Sequence, residues 1–288
     1  MPRGVPKAGF RKRRKSKNKS NMTEITSPSN IVSNETDQEI SERISDRFEI
    51  LSDLTDAAVK GEIRSLIVSG PAGLGKSYTV EQALDKWDPE RLDHTIVKGY
   101  VRATGLYKLL FTHAEKGKVL VFDDADTIFF DDTSLNMLKA VCDSTERRVV
   151  SYLTEGTLFD DDSGTQLPKS FEFNGTIIFI TNYDFDVMIE RGHKLAPHLL
   201  AMMSRSHYID LTMKTKRDYM IRINQVIDQG LLKKSGLNDQ AQSDVVAFIQ
   251  TNRDHLRELS IRVALKVASI RKMQENKWQK IAKVTCCR

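Results

Sequence analysis

Apolar residues recur along this chain with two different periods. Ile40, Ile44, Phe48, Leu51 and Leu54 follow one another at spacings of 4, 4, 3 and 3, one stripe of an amphipathic helix. Short apolar runs then stand at 65–69, 95–101, 119–123, 176–181 and 207–211. Between them lie helical stretches at 76–87 (Val80, Ala83, Leu84 and Trp87 on one face), 105–116, 134–145 and 195–203. Strands that alternate with helices predict an α/β fold with a five-stranded parallel sheet covered on both faces. From Thr215 the pattern is purely helical, at 216–229, 241–251 and 260–276, and predicts a separate small helical bundle. Before about residue 37 the chain is rich in Lys, Ser, Asn, Pro and Gly and has no periodicity, which predicts disorder. The expected organisation is a basic tail over 1–36, a nucleotide-binding α/β domain over 37–212 and a helical lid over 213–288.

The first apolar run leads into Gly70-Pro71-Ala72-Gly73-Leu74-Gly75-Lys76-Ser77, which fits the phosphate-loop pattern G-x-x-x-x-G-K-[ST] at every position. Such a loop wraps a polyphosphate with backbone N–H groups, and its glycines permit the turns and the close approach. Lys76 would reach the β- and γ-phosphates, and the Ser77 hydroxyl would sit on Mg²⁺. A strand before the loop and a helix after it put a helix N-terminus under the anion. The sequence therefore predicts binding of a nucleoside triphosphate.

A second motif closes the third strand. Val119-Leu120-Val121-Phe122-Asp123-Asp124 is four apolar residues followed by two carboxylates. A buried strand would deliver Asp123 to the mouth of the sheet, where ligands of open α/β folds sit. There Asp123 can hold Mg²⁺, and Asp124 can orient and deprotonate an attacking water.

With both motifs in place, residues 37–275 resemble the AAA+ ATPase family, a phosphate-loop fold with a helical lid that uses ATP and Mg²⁺. Thr176-Ile177-Ile178-Phe179-Ile180-Thr181-Asn182 looks like its first sensor strand, which implies that Asn182 contacts the γ-phosphate or the attacking water. Met203-Ser204-Arg205 looks like the arginine finger that a neighbouring subunit inserts, with Arg191 as a rival. Leu259-Ser260-Ile261-Arg262 resembles the second sensor, which implies that Arg262 returns to the nucleotide, with Arg257 as a rival. The family usually has Glu where this chain has Asp124, one methylene shorter. A misplacement of about 1 Å can cost on the order of 10²-fold in rate, so slow hydrolysis is expected. Asp126 lies past the strand end and reads as part of the following loop. The resemblance further implies a homo-oligomeric ring, commonly a hexamer, and the small single-ATPase-domain build is similar to AAA+ proteins of bacteriophages.

Three features bear on the substrate. Nine Lys/Arg and no acid in residues 1–22 form an arm suited to nucleic-acid backbone, a solubilising tail or a sorting signal, and leave residues 23–288 at −4. Two readings of Tyr100 stay open. Family resemblance makes it a pore residue that grips polypeptide, with Lys98 and Arg102 suited to phosphates instead, whereas the frequency of tyrosine in strands favours a core residue. The segment 147–174 reads as a hairpin, 149–153 with 171–173, across the acidic turn 160–164. Arg147 and Arg148 before it face either a neighbour's nucleotide or a helix C-terminus.

Composition narrows the compartment. The longest apolar runs are strand-length, the N-terminus has no apolar signal stretch, and three cysteines are too few for a disulfide framework. A cytoplasmic protein is expected (the host cytoplasm if phage-encoded) with neither membrane contact nor a structural metal, since the six histidines are scattered. The leading expectation is an ATPase ring that remodels or loads a nucleic-acid or nucleoprotein substrate. A protein remodeller and a nucleotide-gated switch with negligible hydrolysis are the alternatives.

Overall fold

Strands in a parallel sheet must bury both faces; the three central apolar runs do so residue by residue, and the two edge runs only in part. In the computed structural model, which describes residues 34–160 and 164–288, they form β1 (Ser65–Ser69), β2 (His94–Lys98), β3 (Val119–Asp123), β6 (Thr176–Thr181) and β7 (His207–Asp210). These pair in parallel in the order β2-β3-β6-β1-β7. Leu66, Val68, Val119, Val121, Ile178 and Ile180 point to one face, and Ile67, Leu120, Phe122, Ile177 and Phe179 to the other. The α/β architecture expected from the sequence is thus present.

On the first face lie α1 (Asp37–Val59) and α2 (Lys76–Trp87). The start of α1 is fixed by a capping box: Glu39 N–H donates to Thr36 Oγ1 and Thr36 N–H to Glu39 Oε2. The second face is covered by α3 (Ala103–Thr112), α4 (Asp132–Val141), α5 (Phe185–Glu190) and α6 (Ala196–Met203). Phe179 is fully buried there between Phe122 and Phe129, and truncating it to alanine would cost about 3–5 kcal/mol. A two-stranded antiparallel hairpin, β4 (Val149–Ser151) with β5 (Ser170–Glu172), occupies the place the sequence reserved for it.

After β7 the chain is helical: α7 (Lys216–Asp228), α8 (Leu231–Lys234), α9 (Asp239–Asn252), α10 (Ile261–Met273) and α11 (Trp278–Cys286). Tyr219, Ile223, Val245, Phe248 and Trp278 belong to the same continuous apolar cluster as α1 and the first sheet face. The reason is α1, whose long apolar stripe contacts both α2 and α7. No helix among the described residues is long and apolar enough to cross a membrane. The basic tail falls outside the described residues up to position 33, as do 161–163 of the acidic turn.

Candidate functional site

The phosphate loop leaves the C-terminal end of β1 and enters α2 directly. Gly75, the residue before the helix, is left-handed at φ 96° and offers no side-chain cap, so the first N–H groups of α2 are free for an anion. Gly73 is left-handed as well (φ 76°), and a Cβ on it would sit 2.6 Å from Cβ of Ser260. No other residue fits between the loop and α10.

Strand order decides which side chains meet here. β6 lies between β1 and β3, so Asn182, the residue just after it, stands between the phosphate loop and the Asp123–Asp124 pair. Lys76 is buried, and its Nζ donates to Gly70 O (2.7 Å), Pro71 O (3.0 Å) and Asn182 Oδ1 (2.9 Å). Asn182 Nδ2 donates in turn to Asp124 Oδ1 at 2.6 Å. Burial pushes the Lys76 ammonium down to about 8, against the attraction of Asp124, Asp123 and Asp126.

Ser77 Oγ donates to Asp123 Oδ1 at 2.8 Å, which sets one hydroxyl and one carboxylate oxygen together at the mouth of the sheet. This hard-oxygen pair fits Mg²⁺, whose remaining positions go to water and phosphate. The other Asp123 oxygen lies 3.1 Å from Nζ of Lys98, which also reaches Glu81.

Asp124 has φ +53°, a left-handed conformation that Asp tolerates better than most side chains. Its N–H donates to Ile180 O, so the turn out of β3 is tied to β6.

Sequence reading underrated two residues. Asp126 opens a 3-10 turn (Asp126–Phe129) instead of trailing into a loop, and its Oδ1 is buried with no hydrogen-bond partner. Burial pushes its carboxyl up to about 6, with Asp124 adding and Thr181, Lys76 and the Asn182 N–H opposing. Arg222 of α7 is buried, stacks 3.4 Å over the Phe48 ring and donates from Nε to Leu74 O at 3.3 Å. Desolvation with no carboxylate beside it lowers this guanidinium to about 10. Ile261 N–H donates to Gly73 O at 2.8 Å, so lid groups hold two consecutive carbonyls of the phosphate loop from behind. The Lys or Arg content of a helix gives no sign of such a contact, since only the fold brings α7 behind the loop.

The open cleft has a volume of about 190 Å³, and its lining includes Ala72, Gly75, Lys76, Asp124, Asn182 and Arg262. Arg262 of α10 thus faces the phosphate loop, whereas its rival Arg257, ahead of α10, does not line the cleft and donates its N–H to Cys286 O. Arg205 is elsewhere. Its carbonyl accepts from Ser65 Oγ at the N-terminal end of β1, and its guanidinium caps α6 through Ala201 O. Five strand residues, about 13 Å at 3.3 Å per residue, separate that end of β1 from the phosphate loop. Arg191 is the exposed C-cap of α5.

Tyr100 does not pack in the core. It is 70% exposed just beyond β2, because β2 ends at Lys98 and left-handed Gly99 turns the chain outward. Arg148 is buried against Val141 O, the end of α4, and Gly175 O, which is the helix-end reading, while Arg147 pairs with Glu172.

No profile of a known protein family matches the sequence. The chain is 37% identical over 247 residues to an uncharacterized 36.7 kDa protein from the nrdC–mobD intergenic region of enterobacteria phage T4, covering 85% of this chain and 75% of that one. Among solved structures it is similar to a mutant of Thermotoga maritima RuvB, with 13% identity, a TM-score of 0.48, and 86% of this chain and 72% of that chain covered. It is also similar to ATP-bound NtrX of Brucella abortus, with 13% identity, a TM-score of 0.40, and 89% of this chain and 64% of that chain covered.

Proposed function

The chain belongs to the family of that phage T4 protein, and we propose that it is an AAA+ ATPase, converting ATP and water to ADP and phosphate within a homo-oligomeric ring. The observation that carries this reading is the hydrogen-bonded line Lys76–Asn182–Asp124 across the mouth of the sheet. Lys76 and the N–H groups at the start of α2 bind the β- and γ-phosphates. Asn182 holds the Asp124 carboxylate, which accepts a proton from the attacking water. Ser77 and Asp123 are the donors for Mg²⁺, which supplies charge neutralisation on the phosphates when bound. Arg262 reaches the nucleotide from the lid.

Arg205 supports the ring. Its place at the opposite end of β1 puts it out of reach of its own phosphate loop, as a finger working on a neighbour requires. Such a finger is worth roughly 10³–10⁵ in rate, so an isolated subunit would be nearly inactive. A hexamer is the family's common state.

A nucleic-acid or nucleoprotein substrate, moved or loaded by the ring, fits the basic residues 1–22. The exposure of Tyr100 favours a second reading, a pore residue that grips polypeptide. The left-handed Asp124 favours a third, a switch that assembles with ATP and hydrolyses negligibly. Asp124→Glu separates enzyme from switch: a slow enzyme speeds up, whereas a switch barely changes. A cytoplasmic location, the host's if the chain is phage-encoded, is supported by the similarity to a phage protein.

The experiment that tests the proposal is steady-state ATP hydrolysis with and without single- and double-stranded DNA, with Lys76→Ala as the blank. A rate above the blank that rises with DNA supports it. A rate equal to the blank in every condition contradicts it.

A further inference from the structure

Charge in this chain is partitioned more sharply than its net +5 suggests. Residues 253–288 carry ten Lys/Arg against three Asp/Glu, a net +7. With +9 in residues 1–22, the rest, 23–252, stands at −11. The chain therefore has an acidic middle and a basic C-terminal stretch, α10 and α11 with their flanks, whose acid-free part is α11 and its ends.

Trp278, Ala282 and Cys286, four residues apart, turn α11 onto the lid core. That leaves Lys280, Lys283 and Val284 exposed on the other side, with Lys277 one turn before Lys280. Arg257 N–H donates to Cys286 O and Arg288 N–H to His255 O, both at 2.8 Å, so Arg257, His255 and Arg288 continue the row past the helix end. Residues 276–288 contain no acid, and among the described residues none of Lys277, Lys280, Lys283, Arg257 and Arg288 makes an ion pair. Helix stability accounts for Lys283, in the last turn, but not for Lys277 and Lys280. Cations at a helix N-terminus oppose the macrodipole, and no acid balances them there. Lys277 to Lys283 span about 9 Å of helix at 1.5 Å per residue, and the two arginines lengthen the row.

We propose that this outer face of α11, together with Arg257 and Arg288, binds the phosphate backbone of nucleic acid. A row of unpaired cations, acid-free from residue 276 to 288 and flanked by Asp254 and Glu258 only at its 255–257 end, matches a line of phosphates and repels basic surfaces. Val284, 70% exposed amid the row, offers apolar contact to the sugars. The face lies on the lid and is separate from residues 1–22, so the protein holds its polymer at two places. This deepens the nucleic-acid reading above. Binding is also measured on Lys76→Ala, so failure here is distinct from failure of the ATPase assignment.

The test is fluorescence anisotropy of a labelled DNA duplex against the full chain at several salt concentrations. The comparison variant is Lys277→Gln/Lys280→Gln/Lys283→Gln, three exposed positions outside the nucleotide cleft. Each neutralised phosphate contact contributes about 0.9 to the slope of log affinity against log salt. The variant is expected to bind at least tenfold more weakly at low salt, with a slope shallower by about 2–3, while basal ATP hydrolysis is unchanged. Equal affinity and slope in the two proteins would overturn the proposal. So would a variant that keeps its DNA affinity but loses its oligomer on sedimentation, since the face would then meet the acidic middle of another copy.

Discussion

Asn182 Nδ2 lies 2.6 Å from Asp124 Oδ1, a short hydrogen bond joining the ends of two adjacent parallel strands. The same amide accepts from Lys76 through its oxygen, so both of its ends are used and its orientation is fixed. Asn182→Ala frees the Asp124 carboxylate, and a misplacement of about 1 Å costs on the order of 10²-fold. The expected outcome is a kcat lower by about that factor with little change in nucleotide affinity. Steady-state kcat, together with Kd from a fluorescent ATP analogue, checks it. An unchanged kcat would remove Asn182 from the site.

Lys76 binds phosphate as the ammonium, which burial has pushed down to about 8. A proton is therefore taken up on binding above that value and is already in place below it. Nucleotide affinity should be flat near neutral pH and weaken above about pH 8, by up to tenfold per unit. Kd measured from pH 7 to 9.5 at fixed ionic strength reads this directly. A constant Kd over that range would mean that Lys76 stays charged.

Asp126 carries a cost in the folded state. Its carboxyl titrates near 6, against 3.8 ordinarily, so the folded protein binds this proton more tightly than the unfolded chain. Stability from this group is fully present at low pH and is lost as pH rises through about 6. The loss is on the order of 2 kcal/mol once partial exposure is allowed for. Asp126→Asn removes the charge, so its stability relative to wild type should rise between pH 5 and pH 7.5. Urea unfolding at the two values checks it, and a pH-independent difference would contradict it.

Arg222 braces the phosphate loop from the lid. Arg222→Met keeps length and contact with Phe48 but loses the donor to Leu74 O. A buried cation without a counter-ion is costly, so global stability should change little, while ATP affinity falls about tenfold as the loop loosens. Arg222→Lys should not rescue, because a point ammonium lacks the planar stack. Thermal melts and Kd values for both variants separate bracing from packing.

The parts of the site that were legible in the sequence are contiguous ones. Gly70 to Ser77 and Val119 to Asp124 each carry their chemistry within one strand end and its loop, where the apolar run and the polar stop are visible together. Asn182 came only from the resemblance of residues 176–182 to a sensor strand, since an Asn at a strand end is commonplace. Arg222 and the burial of Asp126 were not legible, because both depend on which element lies behind the loop. Tyr100 stayed open because the end of β2, two residues before it, is decided by the left-handed backbone of Gly99. The lid was legible as helices, but its packing on α1 was not, since a stripe on α1 does not disclose its partner.

The account rests most heavily on a ring completed by Arg205, and mixing two inactive variants tests it most directly. Arg205→Ala keeps its own phosphate loop but offers no finger; Lys76→Ala offers the finger but has no working loop. ATP hydrolysis by the mixture should exceed the sum of the two alone, because some intact loops then face intact fingers. A mixture no more active than that sum, under conditions where the subunits co-assemble, would contradict the account.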